Sequence, residues 1–255
     1  MIEVPRPYSA CTFSEGVSII SGVGAGAKYG FMDRAGRVIV DPIYHSAYSF
    51  HEGLAAVATA SNKWGFIDKS GNIIIETKYG EAARFSEGLA AVRFDGLWGF
   101  IDRRGNTVIP PLGAWREIPF FNEGLARVKR NNKWGYIDKK GQTVIEPRYD
   151  NARDFSEGLA AAKQGDSWGF INAQGQWVIE PSFTRISDFQ ESLAFVYPVQ
   201  WGGVGYIDHQ GKVVIDFRAS ANRGELIDIV GYFQEGLAPI YLNERWGFID
   251  KEGRI

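Results

Sequence analysis

The chain has 255 residues, 45% hydrophobic and 23% charged, which are globular proportions and exclude an intrinsically disordered protein. Its 28 Lys and Arg against 30 Asp and Glu leave a formal charge of −2, without the basic excess of a nucleic-acid binder. No apolar run approaches the about 18 residues of a membrane-spanning helix, so no membrane insertion is expected.

A single phrase recurs along the chain, opened each time by a phenylalanine: Phe13, Phe50, Phe85, Phe121, Phe155, Phe189 and Phe233. The spacings are 37, 35, 36, 34, 34 and 44 residues, so about seven copies of a unit near 35 residues fill the sequence. In the fourth copy, the run from Glu123 through Gly124, Leu125, Ala126 and Arg127 to Val128 has the length and apolar content of a strand. Asn131, Asn132 and Lys133 then form a hairpin-length connection. Trp134, Gly135, Tyr136 and Ile137 pair aromatic with β-branched residues as a second, largely buried strand. Asp138 to Gly141 is a tight turn, because Asp accepts backbone N–H groups and Gly tolerates positive φ. Six copies carry Asp at this turn and the fifth carries Asn172. Val144, Ile145 and Glu146 make a third strand, stopped by Pro147, which has no N–H for a ladder. A connector of about ten residues, Tyr149 to Phe155, reaches the next copy. The predicted unit is a three-stranded antiparallel meander and the fold class is all-β.

A glycine follows the tryptophan position in all seven copies: Gly30, Gly65, Gly99, Gly135, Gly169, Gly205 and Gly247. Glycine inside a strand weakens it unless another group needs the space, and an aromatic of the neighbouring copy is the expected occupant. The aromatics that follow, from Phe31 to Phe248, are expected to build a continuous core between copies.

The sequences Lys63-Trp64-Gly65-Phe66-Ile67-Asp68 and Lys133-Trp134-Gly135-Tyr136-Ile137-Asp138 resemble the WG-repeat family, also called KWG repeats, over essentially the whole chain. The resemblance implies a mainly bacterial binding or interaction module with no general catalytic activity and no inherited ligand. Tyr29 and Val204 replace the tryptophan in copies one and six, and Ser192 replaces the glycine of Glu-Gly-Leu.

Residues 1–255 read as a single WG-repeat β domain with a half-repeat at each end. Ile2 to Tyr8 resembles a third strand, and the chain stops at Lys251 to Ile255, where a seventh third strand would begin. Two arrangements follow: a closed seven-bladed, propeller-like ring, or an open superhelical solenoid. The short unit favours the open solenoid.

The repeated Asp and Glu suggest paired-carboxylate chemistry, but residues used in every copy serve the fold, and no enzyme activity is expected. His45, His51 and His209 show no metal-ligand spacing, Cys11 reads as a small buried hydrophobe, and Ser21 to Gly26 lacks the ending of a phosphate loop. No catalytic residue, metal or cofactor is expected. The single cysteine excludes an intramolecular disulfide, and residues 1–7 lack the regions of a signal peptide, so the expected location is cytoplasmic. What does not recur is freer to serve recognition. Trp115, Trp177 and Trp201 fall outside the repeat position, as do Arg116 and the insertion holding Arg218 and Arg223. These six are the candidate partner-binding residues, since Trp and Arg are enriched in interface hot spots. The expected function is a scaffold for a protein partner, with a glycan or small-ligand module on exposed tryptophans as the alternative.

Overall fold

The computed structural model describes residues 9–113, 119–198, 204–217, 227–242 and 244–254, and contains no helix among them. The chain forms two compact units. One holds residues 1–121 with Lys139–Gly141, and the other holds the remainder of residues 122–255.

The first unit contains three antiparallel sheets. They are β1 (Ser9–Ser14), β2 (Val17–Ser21), β3 (Tyr29–Asp33) and β4 (Val38–Tyr44); then β5 (Ser46–Ala47), β6 (Leu54–Ala58), β7 (Trp64–Asp68) and β8 (Ile73–Tyr79); then β9 (Ala82–Ser86), β10 (Leu89–Phe94), β11 (Leu97–Asp102) and β12 (Thr107–Gly113). Each sheet follows chain order. The short β13 (Phe121–Asn122) marks the junction of the units. The second unit continues with β14 (Leu125–Arg130), β15 (Lys133–Asp138) and β16 (Thr143–Tyr149). Next come β17 (Asn151–Ser156), β18 (Leu159–Gln164), β19 (Ser167–Ile171), β20 (Trp177–Ile186), β21 (Ala194–Pro198), β22 (Gly205–Ile207) and β23 (Val213–Asp216), followed by β24 (Ile227–Val230), β25 (Ala238–Leu242) and β26 (Arg245–Ile249). Because β20 is ten residues long, it serves two copies and joins β17 to β23 into one seven-stranded sheet.

The typical sheet therefore has four strands where the sequence predicts three. The extra strand comes from the connector: Ala82, Phe85 and Ser86 of β9 face Val92, Ala90 and Leu89 of β10. What turns the chain back is the Glu-Gly pair. Glu87 (φ 53°) and Gly88 (φ 85°) both lie in the left-handed region, as a two-residue type I′ hairpin turn demands. Glu is not among the residues that advertise such a turn, so the pair reads from sequence as the start of a strand. All seven Glu residues of this phrase adopt φ between 50° and 54°. The connection between β14 and β15 is as predicted, with Asn131 and Asn132 at φ 48° and 63°.

The glycine of the Trp-Gly pair has a different reason from the predicted one. The register between β7 and β8 slips around Gly65, with Trp64 opposite Tyr79 and Phe66 opposite Ile75. The bulge drives the backbone of β8 against Gly65. A Cβ there would overlap the Ile75 carbonyl oxygen and lie 2.8 Å from the Glu76 carbonyl carbon. Its own sheet fills the space, not a neighbour's aromatic.

The expected aromatic core does form between successive copies. Within the first unit, Phe31, Phe66 and Phe100 meet Phe50, Phe85 and Phe121 with ring centroids 4.8–4.9 Å apart. In the second unit, Tyr136, Phe170 and Tyr206 meet Phe155, Phe189 and Phe233 at 4.5–4.9 Å. Both faces of the middle strands are covered, and all five residues of β6 are buried. The outer strands alternate instead, with Ile73 and Ile74 of β8 exposed and Ile75 buried.

Candidate binding site

The recurring acids are engaged by the backbone. Asp33 Oδ1 accepts the N–H groups of Ala35 (2.8 Å) and Arg37 (3.0 Å), and Asp68, Asp102, Asp208, Asp250 and Asn172 repeat the arrangement. The Arg37 N–H is the main reason that Asp33 stays below the usual carboxylate range; for Asp68 it is the Asn72 amide. The hairpin-turn Glu of the first six copies reaches forward to the next copy. The carboxylates of Glu15, Glu52, Glu123 and Glu191 accept the N–H groups of Gly53, Gly88, Gly158 and Gly236, and Glu157 accepts that of Ser192. A basic side chain closes several of these links: Lys69 lies 3.2 Å from Glu15, Lys139 2.9 Å from Glu87, and Lys251 3.1 Å from Glu191. His209 approaches Glu157 at 3.2 Å, an ion-pair distance when it is protonated, without hydrogen-bond alignment. For Glu15 burial works upward, but Lys69 and the N–H groups of Gly53 and Glu52 outweigh it and leave its carboxyl below the usual range. Each of these acids has a partner that the fold supplies.

Among the predicted candidates, Trp115, Arg116, Trp201, Arg218 and Arg223 lie outside the described residues. Trp177 opens β20 and occupies a position held by Val38, Ile73, Thr107 and Thr143 in other copies. Its half-buried ring stands edge-on to Tyr149 at 5.4 Å and packs on the cluster of Tyr136 and Ile145. It lines a cleft of about 400 Å³ with Arg148, Tyr149, Gln164, Gly175 and Gln176. The Tyr149 hydroxyl donates to the Gly175 carbonyl at 2.7 Å, and the Arg148 guanidinium donates to the same oxygen. One aromatic wall, two side-chain amides and one guanidinium suit a polyol or a polar peptide segment.

Two further groups escape a reading of the sequence. A cleft of about 370 Å³ in the first unit is lined by Tyr48, Ser49, His51, Ala83, Arg84 and Phe120. Tyr48 is exposed and stacks on Trp64 at 5.1 Å, while Arg84 lies 5.1 Å over the Phe120 ring. Burial, with Arg84 adding to it, holds the His51 imidazole below its ordinary range.

The other group is a charged chain in the second unit. Arg127 Nε lies 3.0 Å from Asp154, Arg127 Nη1 donates to the Ala152 carbonyl at 2.9 Å, and the guanidinium sits 5.1 Å over Trp134. Arg153 lies 3.6 Å from Asp188 and 5.6 Å over Trp168. Burial pushes the Asp188 carboxyl up, and its Oδ1 has no hydrogen-bond partner among the described residues. The available signal was positional: Arg127 stands where Ala56, Ala91 and Ala161 stand in other copies. Among the described residues, no group of three or more His, Cys, Asp and Glu is placed to hold a metal ion.

Among curated proteins, none matches this sequence. Kluyveromyces lactis Hsv2 is similar in structure at 11% identity, with 95% of this chain and 93% of that one covered and a TM-score of 0.54. BamB from Moraxella catarrhalis is similar at 13% identity, with 96% and 82% covered and a TM-score of 0.50. Both neighbours are β-propeller-like, and the likeness is one of fold alone. The WG containing repeat family matches residues 29–59, 64–98, 98–134, 134–167, 168–197 and 205–218. With matches over well above half its length, and with the Trp-Gly pair seated on the sheet bulge, this chain belongs to the WG containing repeat family.

Proposed function

We propose that this chain is a non-catalytic scaffold that binds a protein partner through the residues that depart from its repeat. The observation that carries the reading is the division of labour among its side chains. Recurring Asp, Glu, Phe and Gly are held by turns, inter-copy bonds and core, which leaves recognition to non-recurring groups. Those groups are the connector residues Trp115, Arg116, Arg218 and Arg223, with Trp201, Trp177 and the Arg127 to Asp188 chain. Arg and Trp together fit a polar protein surface. The net charge of −2 does not fit nucleic acid. A cytoplasmic setting belongs to the same reading and is consistent with the single cysteine. An open array, favoured by the short repeat unit, belongs to the same reading.

The test begins with affinity capture from cells that make the protein, followed by titration of the purified partner against wild type and Trp115→Ala/Arg116→Ala. A loss of about tenfold or more supports the scaffold reading. Unchanged affinity in that variant and in Arg127→Ala removes it. Turnover of a generic ester, phosphate or glycoside by the wild type would replace it with an enzyme.

The Trp177 cleft favours a second reading, a glycan or other small polar ligand. Titration with soluble oligosaccharides should then change the tryptophan fluorescence of the wild type but not of Trp177→Ala.

A further inference from the structure

We infer that the cleft lined by Tyr48, Ser49, His51, Ala83, Arg84 and Phe120 binds a carboxylate that carries a flat aromatic ring. Its volume of about 370 Å³ falls in the range of small-molecule pockets, and all six residues belong to the first unit. The lining contains one permanent cation and no acid, so the ligand it complements is an anion. Glu15 and Glu52, whose charges reach His51, are already engaged by the N–H groups of Gly53 and Gly88. The inference goes beyond the partner reading above, because none of the residues assigned to that reading lines this cleft.

A comparison with two other arginines that lie over aromatic rings points to the carboxylate. Arg127 sits 5.1 Å over Trp134 and pairs with Asp154 at 3.0 Å. Arg153 sits 5.6 Å over Trp168 and pairs with Asp188 at 3.6 Å. Arg84 is exposed and sits 5.1 Å over Phe120, with neither a hydrogen bond nor a carboxylate among the described residues. The ring contact engages one face of the guanidinium and leaves its N–H edge, a fork that matches a carboxylate through two parallel bonds. His51 adds a donor. At its position in other copies, Ser14, Ser86 and Ser156 donate to the carbonyls of Phe50, Phe121 and Phe189 and tie one copy to the next. The His51 imidazole makes no such bond among the described residues, so its ring N–H is available to a ligand. Burial, with Arg84 adding to it, leaves this imidazole uncharged at neutral pH. The single positive charge that remains balances a carboxylate and not a phosphate dianion. Tyr48 places the ligand's ring. One face of Tyr48 stacks on the buried Trp64 at 5.1 Å, and the side chain is 44% exposed, so a supported ring face is open to a second ring. A free aryl acid and a peptide terminus ending in an aromatic residue share this chemistry.

Isothermal titration calorimetry of the 255-residue chain tests it, with phenylacetate, a short peptide ending in a free phenylalanine carboxylate, and the same peptide amidated. Both acids should bind, and the amide should bind at least about tenfold more weakly than its acid. Tighter binding of the peptide acid assigns the cleft to a chain terminus, and equal or tighter binding of phenylacetate assigns it to a free aryl acid. Arg84→Gln should weaken both acids by about tenfold or more. His51→Ser, which restores the residue of three other copies, should weaken them by about threefold or more. Arg34→Gln removes an exposed guanidinium 5.9 Å over Phe13, outside the lining, and should leave both affinities unchanged. Thermal melts check that each variant stays folded. The proposal is overturned if neither acid binds at up to about 10 mM, if the amide binds as well as the acid, or if affinity survives Arg84→Gln. Phenyl phosphate that binds more tightly than phenylacetate also overturns it, since the anion would then not be a carboxylate.

Discussion

Replacing Gly65 by alanine separates the steric demand of the bulge from the conformational demand of a turn. A Cβ at Gly65 would overlap the Ile75 carbonyl oxygen and sit 2.8 Å from both the Glu76 carbonyl carbon and the Thr77 nitrogen. All three are backbone atoms of the paired strand, so relief requires β7 and β8 to part. Overpacking of this kind costs about 1–3 kcal/mol, and losing one ladder hydrogen bond adds about 1 kcal/mol. The expected total is about 3 kcal/mol, or a fall in Tm of about 6–12 °C for a domain of this size. Gly88→Ala is the control: nothing lies within 4 Å of its Cβ, but φ is +85°. It should cost only the left-handed strain, about 1–2 kcal/mol. Gly99→Ala should fall between them, because its nearest backbone oxygen, that of Ile109, is further away at 2.7 Å. Urea unfolding followed by tryptophan fluorescence, with thermal melts in parallel, gives the ranking. If Gly65→Ala is no worse than Gly88→Ala, the bulge does not explain the Trp-Gly glycine.

Three other outcomes are expected. Glu52→Ala should destabilise by about 1–2 kcal/mol, since the Gly88 N–H loses a charged acceptor, and Glu52→Gln by less; the reverse order in urea melts would remove the inter-copy bond as a stabiliser. The carboxyls of Asp33, Asp68, Asp102, Asp250 and Glu191 lie below their ordinary values in the folded chain. Their contribution is thus complete above about pH 4–5 and lost as pH falls through the lowered folded values, so Tm should hold from neutrality to about pH 5 and drop below about pH 4. Asp188 runs the other way: its raised pKa means that the folded chain binds the proton more readily, and stability falls as pH rises past the ordinary Asp value. Asp188→Asn should therefore raise Tm at pH 7, with the gain vanishing near pH 4, and a lower Tm at pH 7 would show that the Arg153 pair outweighs burial.

The copy spacing, the Asp turns and the Asn131-Asn132 hairpin were legible because each depends on residue types that advertise their conformation. The fourth strand was not. Its turn is made by Glu in a left-handed conformation, and in five copies the Glu carboxylate reaches the next copy's N–H, a contact between residues 35 to 45 positions apart. The role of Gly65 was hidden for a related reason: a bulge is a backbone event without its own sequence pattern. Of the candidate site, Trp177 was legible as a tryptophan out of place. Arg84, Asp154 and Asp188 were not, because they fall in the connector, where any residue is admitted until the copies are superposed.

A comparison of the copies supports the proposed part of the Arg127 chain in recognition. At its position Ala56, Ala91 and Ala161 are buried and uncharged, so the fold has no need of a cation there. Placing one in copy four brings Asp154 within 3.0 Å in copy five, whereas the matching residues in copies two and three are Ser49 and Arg84. Asp188 and Arg153 repeat the coupling one copy on, with Asp188 held in surroundings that disfavour its charge. Ion pairs taken partly out of water contribute little net stability, and apolar residues of similar size often serve the fold better. Four charged departures over consecutive copies, Arg127, Asp154, Arg153 and Asp188, at positions that alanine or serine fills in at least one other copy, break the repeat without an evident gain in stability. Such breaks concentrate where a protein meets its ligand, which makes this chain of charges a third surface, beside the connectors and the Trp177 cleft, on which the scaffold reading can be tested.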